Sequence, residues 1–256
     1  MAAALVLAAA LTAYLWAARR ARRPWPAART AAMAAGALVV LGSLLLDGEG
    51  RFTTHATQHL MLGMVAPALF ALAAPVTLAL QAGGPRARRR LRRVLHSRAA
   101  AVAAHPLTGW SVFGGSMLAL YLTPLYRLSL DHEWLHEALH LHFLTAGALF
   151  FWPIVGVDPV PRRLPHGGRL LAVFLVVPFH AVLGMALLAA REPIAPRHTL
   201  ADHRAGAGLL WIAGDLLGLV AALVVAAQWM AAEDRQAARE DRRSEGPVVP
   251  AVDDGG

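Results

Sequence analysis

Residues 130–153 read Leu130-Asp-His-Glu-Trp-Leu-His-Glu-Ala-Leu-His-Leu-His-Phe-Leu-Thr-Ala-Gly-Ala-Leu-Phe-Phe-Trp-Pro153. His132, His136 and His140 recur every four residues. On a helix such positions drift by only about 40° per step and line one face. Beyond this ladder the stretch is apolar for about three turns, so the histidines sit at one end of a hydrophobic helix rather than along a soluble amphipathic one. Neutral imidazole is a common metal ligand, and i,i+4 spacing can bring two of them to one ion. The alternative is a polar helix end whose histidines meet water and lipid headgroups.

The rest of the chain is as apolar as this helix. With 57% hydrophobic and 16% charged residues over 256 positions, it exceeds what a soluble domain carries and predicts an all-α, polytopic membrane helix bundle. Seven apolar runs, at 2–18, 30–46, 57–80, 107–123, 134–155, 170–190 and 207–230, are each about long enough to cross a hydrocarbon core of roughly 30 Å. The first lacks a positive segment before it and is followed at once by Arg19, Arg20, Arg22 and Arg23, so it reads as a span rather than a cleaved signal. Residues 1–232 then form one seven-span membrane domain, and 233–256, charged and then Pro- and Gly-containing, an unstructured cytoplasmic tail.

All 24 basic residues are arginine, and 19 of them lie in the loops after runs one, three and five and in the tail. The excess places those segments in the cytoplasm, the N-terminus outside and the C-terminus inside. The densest basic stretch, 86–98, is thereby a cytoplasmic loop facing anionic lipid, and the net charge of +8 gives no reason to expect a nucleic-acid partner. There are no cysteines, which excludes disulfides, thiolate metal sites and attached c-type haem.

Sorted by this topology, His55, His59, His132, His136, His140, His198 and His203 gather toward the outer surface, while His142 and His180 lie deeper. Run three opens on His55-Ala-Thr-Gln-His59, a second i,i+4 pair. If runs three and five are neighbours, the two pairs make a nitrogen-ligand site suited to copper, zinc or iron. Met61 and Met64, one to two turns deeper, could add soft thioether ligands or simply pack. Ala66-Pro67 and Ala74-Pro75 are expected to kink this helix beside the histidines. Asp215 lies about 12 Å into run seven. A carboxylate at that depth calls for a partner, either a metal-bound histidine, His180 or a proton path. No phosphate-binding loop, GxSxG elbow or Ser/His/Asp order occurs, which leaves hydrolase and nucleotide chemistry without support.

Taken together, His55-Ala-Thr-Gln-His59 with Met-Val-Ala-Pro67, Trp134-Leu-His136, His140-Leu-His142-Phe143, Phe150-Phe-Trp-Pro153, Gly156-Val-Asp-Pro-Val-Pro161 and Asp202-His-Arg-Ala-Gly-Ala-Gly208-Leu-Leu-Trp211 resemble the multi-span CtaG-type assembly factors of haem-copper cytochrome c oxidase. The resemblance implies a bacterial plasma-membrane protein that is not an enzyme but works with oxidase subunits, supplying copper. It makes His55, His59, His136 and His140 candidate copper ligands, with Asp202 and Asp215 as supporting carboxylates. Ala56 departs from the family pattern, where a methionine often follows the first histidine. Two other readings compete: a haem or di-iron redox enzyme built on the HxxxH boxes, and a proton or metal-ion transporter with His142, His180 and Asp215 along its path.

The arginine bias makes a direct prediction. A reporter fused at the C-terminus is expected to be active only in the cytoplasm, and activity confined to the extracytoplasmic side would refute the orientation.

Overall fold

A computed structural model of the chain describes residues 2–46, 50–161 and 163–244, and among them the fold is helical throughout. In chain order the helices are α1 (Ala2–Arg19), α2 (Ala27–Leu45), α3 (Phe52–Leu60), a π-helical turn (Met61–Val65), α4 (Ala66–Ala73), α5 (Pro75–Ala82), α6 (Pro85–Leu95), α7 (Arg98–Ala103), α8 (Pro106–Leu122), α9 (Leu125–Asp131), α10 (Glu133–Val155), α11 (His166–Phe174), α12 (Val177–Leu188) and α13 (Leu200–Ser244). Five stretches, 27–45, 52–82, 133–155, 166–188 and 200–242, are long and apolar enough to cross a membrane. The first and fourth of the seven expected runs form α1, a shorter apolar helix, and the 17-residue α8.

Two expectations change. The basic stretch at 86–98 is not a loop but the exposed helix α6 and the start of α7, because Pro85 is well placed at the first helical position and arginine is a good helix former. Nor does the last helix stop near 232. α13 continues through Ser244 on an Ala-, Glu- and Arg-rich sequence, with Gln236 donating to Glu240 one turn on. The expected tail beyond 244 lies outside the described residues.

α10 is the centre of the bundle. It packs against the π turn and α4 on one side and against α8 on another, with further contacts to α9, α11 and α13. The main core runs along it through Leu139, Phe143, Phe150, Phe151 and Ile154, joined by Phe113 and Met117 of α8 and Leu210 of α13. α1 and α2 flank this core with smaller clusters of their own.

Prolines shape the helix beside α10. Pro67 has no N–H to give to the Gly63 carbonyl four residues back, and its ring would crowd that carbonyl in a regular helix. The backbone widens into the π turn instead, with Ala66 N–H bonding back to Met61 O. Eight residues later the helix breaks at Ala74, which adopts left-handed φ 53° and ψ 52° ahead of Pro75. Several of the groups freed at this break find partners. Tyr14 donates to Ala73 O at 2.7 Å, and the carboxylate of Asp158 accepts from Val76 N–H (3.0 Å), Thr77 N–H (2.7 Å) and the Thr77 hydroxyl (2.6 Å).

Asp158 is fully buried, and stranded buried donors cost about 1–3 kcal/mol each. Asp158→Ala is expected to lower stability by about 2–4 kcal/mol and Asp158→Asn by less, read as melting temperature and folded yield of the purified protein. Equal melting of all three would contradict the capping role.

Candidate metal site

The two histidine pairs meet. His55 and His59 project from α3, and their ring centroids are 4.2 Å apart. His136 and His140 project from the first two turns of α10, with centroids at 4.4 Å. Across the helix pair, His55 lies 5.1 Å from His136 and His59 lies 6.0 Å from His140. The four imidazoles thus form one ring of contacts at the end of the bundle where α3, α10 and α13 begin.

Backbone proximity makes this meeting possible. A Cβ placed on Gly147 would collide with the Gly63 carbonyl oxygen and stand 2.7 Å from the Pro67 ring. Only glycine lets α10 come so close to the π turn, and the carbonyl released by Pro67 faces the Gly147 Cα there. Glycine at a close helix approach is the usual membrane solution, since lipid offers no hydrophobic drive for helices to pack.

Asp202, at the start of α13, fixes the other side. Its carboxylate accepts from Phe52 N–H (2.6 Å), Thr53 N–H (3.3 Å) and the Thr53 hydroxyl (2.7 Å), capping the first turn of α3 from another helix. Negative charge at a helix N-terminus is favourable, and three otherwise orphaned donors are satisfied. The expected supporting carboxylate therefore supports by holding the helix that carries His55 and His59.

Burial is graded. His55 and His59 are almost wholly enclosed, whereas His136 and His140 are half-buried. His59 Nδ1 is 2.8 Å from the Tyr121 hydroxyl, and the His59 ring lies against Phe143. His55 makes no hydrogen bond through either ring nitrogen, and neither does His140 through Nε2. The Tyr126 ring stands edge-on to His55 at 4.7 Å. Among the described residues, no three His, Asp or Glu side chains already converge as a metal-holding group.

The remaining site candidates sort differently. His132 is not part of the ring of four: it is the extended residue before α10 (φ −134°), exposed, with Nδ1 3.1 Å from Leu128 O and its ring near Trp134. Met64 is buried in the main core and Met61 packs toward Gly42 of α2. Asp215 faces His180, one of the partners expected for it, with Nδ1 to Oδ1 at 3.8 Å and no hydrogen bond between them. That pair is on α12 and α13, whereas His142 is exposed on α10, so the three do not line one path.

Two tyrosines that do not stand out in the sequence, and two histidines expected there only as members of the outer set, brace the site. Tyr126 bonds His198 Nε2 at 2.9 Å, and His198 Nδ1 is 3.9 Å from Asp202. Burial holds the His198 imidazole below its ordinary pKa and outweighs the opposing pull of the Asp202 carboxylate. His203 receives the Ile194 N–H on Nδ1, so Nε2 carries the proton and donates to Leu187 O at 2.8 Å. Its ring stacks on Phe52. The one available signal was scarcity: the chain has three tyrosines, and all are buried with a bonded hydroxyl.

The chain matches the cytochrome c oxidase caa3 assembly factor family over residues 12–232. Uncharacterized proteins of Mycobacterium bovis and Mycobacterium tuberculosis are each 34% identical to it over 266 residues, covering 95% of this chain and 40% of their own length. One from Mycobacterium leprae is 35% identical over 249 residues, covering 89% of this chain. The chain spans 38–40% of the length of these curated relatives. No solved structure matches it.

The Gly147 contact generates a test. Gly147→Ala is expected to cost about 1–3 kcal/mol by overpacking, while Gly115→Ala, whose Cβ would meet open space, is expected to be neutral or stabilising. Equal melting temperatures for Gly147→Ala and wild type would show that the approach is looser than described.

Proposed function

Because the chain belongs to the cytochrome c oxidase caa3 assembly factor family, we propose that it serves oxidase biogenesis by carrying copper on His55, His59, His136 and His140 and passing it to an oxidase subunit. The cell site would be the bacterial plasma membrane, with the imidazoles on its extracytoplasmic side. The observation that carries this reading is His55, an imidazole with no exposed surface and no hydrogen bond on either nitrogen, in ring contact with His59 and His136. A buried polar group without a partner is costly, so such a residue marks a role other than packing.

The spacing fits the cargo. With metal–nitrogen bonds of about 2.0–2.1 Å, two imidazoles on one tetrahedral ion have centroids roughly 5 Å apart, and neighbouring rings of the four are 4.2 to 6.0 Å apart. Tyr121 orients one of them: with His59 Nδ1–H donating to the hydroxyl, Nε2 keeps its lone pair for the ion. An all-imidazole site, with Met64 in the core, Met61 packed toward Gly42 and no cysteine in the chain, suits an ion that must leave again. Thiolates would hold copper far more tightly.

The test is metal content. Wild-type protein incubated with copper is expected to retain it through desalting, and His136→Ala and His140→Ala, half-buried positions at the helix end, are expected to insert normally and retain little. A strain carrying either variant should assemble copper-poor oxidase, partly rescued by added copper through mass action. Full oxidase activity in a strain whose only copy lacks all four histidines would overturn the proposal, and a Soret band on the wild-type protein would direct it toward haem chemistry instead.

A further inference from the structure

Beside the four imidazoles lies a cavity of about 430 Å³, bounded by the end of α2, α9 and the first turns of α10. Gln58, Glu133, His136, Glu137 and His140 face it. The four α10 residues fall at i, i+3, i+4 and i+7, two consecutive Glu-x-x-His pairs on one helix face. Asp131 also reaches the cavity, but its charge is engaged by Arg197 at 3.3 Å. Glu133 and Glu137 are exposed at the rim.

Gln58 is the informative member. It is only 3% exposed, and its Nε2 donates to two carbonyls at the end of α2, Ser43 O at 3.0 Å and Leu46 O at 2.7 Å. Two acceptors on one side settle which end of the amide carries the nitrogen. The oxygen Oε1 is therefore turned the other way, buried and without a donor. A buried acceptor left unpaired costs free energy and has no packing reason to be there. Carboxylates at a rim and a buried amide oxygen within form a set of hard oxygen ligands beside a set of nitrogen ligands.

We infer that this cavity is a loading port, in which a hydrated divalent first-row cation is held by the oxygens of Glu133, Glu137 and Gln58 before it passes to His140 and His136. The step is ligand exchange. Water and oxygen ligands leave, imidazole nitrogens replace them, and the ion keeps its oxidation state. The rising affinity from oxygen to nitrogen donors gives transfer its direction. This inference rests on the metal reading of the four imidazoles, and its test separates the two.

The first arm uses Mn(II), an oxygen-preferring ion, titrated into the 256-residue chain in nanodiscs and followed by loss of the free-ion electron paramagnetic resonance signal. Wild type and His55→Ala are expected to bind it. The double variant Glu133→Gln/Glu137→Gln is expected to bind about tenfold or more weakly, since carboxylate count sets affinity at such sites, and Gln58→Leu to bind more weakly as well. The second arm mixes Cu(II) rapidly with the same proteins. The glutamate variant is expected to load roughly tenfold more slowly and to lose the salt dependence of loading, yet to reach wild-type copper content. Both glutamates are exposed, so unchanged melting temperature verifies that the variant is folded. Mn(II) binding that is absent from wild type, or equal in wild type and the glutamate variant, overturns the port. So does loss of final copper content in that variant, which would make the glutamates part of the holding site. Wild type that takes Mn(II) through the glutamates but retains no copper would leave the port standing and remove the copper reading of the imidazoles.

Discussion

One close contact organises this protein: the Cα of Gly147 on α10 against the carbonyl of Gly63 in the π turn. It exists because Pro67 can neither bond that carbonyl nor tolerate it in a regular helix. The widened turn gives the carbonyl an outward direction, and a glycine on the facing helix lets the backbones meet over it. Two helices held that near must bring whatever stands one to three turns toward their N-termini into contact. Here these residues are His59 and His55 on one side, His140 and His136 on the other.

A second constraint is electrostatic and appears at both ends of the bundle. Asp202 caps α3 and Asp158 caps α5, each through two backbone N–H groups and a threonine hydroxyl. Both are supplied by another part of the chain, 150 and 82 residues away in sequence. Away from water an uncapped helix end is expensive, so a carboxylate lent across the fold both satisfies the donors and fixes which helices are neighbours. At the far end of α10 arginine does the complementary work. Arg169 is buried and donates to Ile154 O and to Gln228, which in turn donates to Val155 O.

Much of this was legible in the residues themselves, and the failures have physical causes. The apolar runs, the i,i+4 pairs and the prolines of the third run are local signals, and α10, α3 with its π turn and the break at Ala74 all follow from them. The ladder missed by one rung. A period of four presumes helix at each position, but the helix begins at Glu133, leaving His132 as an extended residue turned to Leu128. High charge at 86–98 and beyond 232 was read as loop and tail, although arginine, alanine and glutamate are good helix formers. Tyr121, Tyr126, His198 and His203 went unrecognised as braces because their partners are distant in the chain, and no periodicity records such pairings.

The chemistry follows from what the braces leave unsatisfied. Tyrosines and backbone groups occupy His59, His198 and His203, whereas His55 is enclosed and bonded to nothing. X-ray absorption at the copper edge, on purified protein loaded with Cu(II), tests the central claim most directly. The account predicts a first shell of nitrogen with the outer-shell scattering of imidazole rings and no sulfur. A sulfur shell, or copper bound without imidazole scattering, would contradict it.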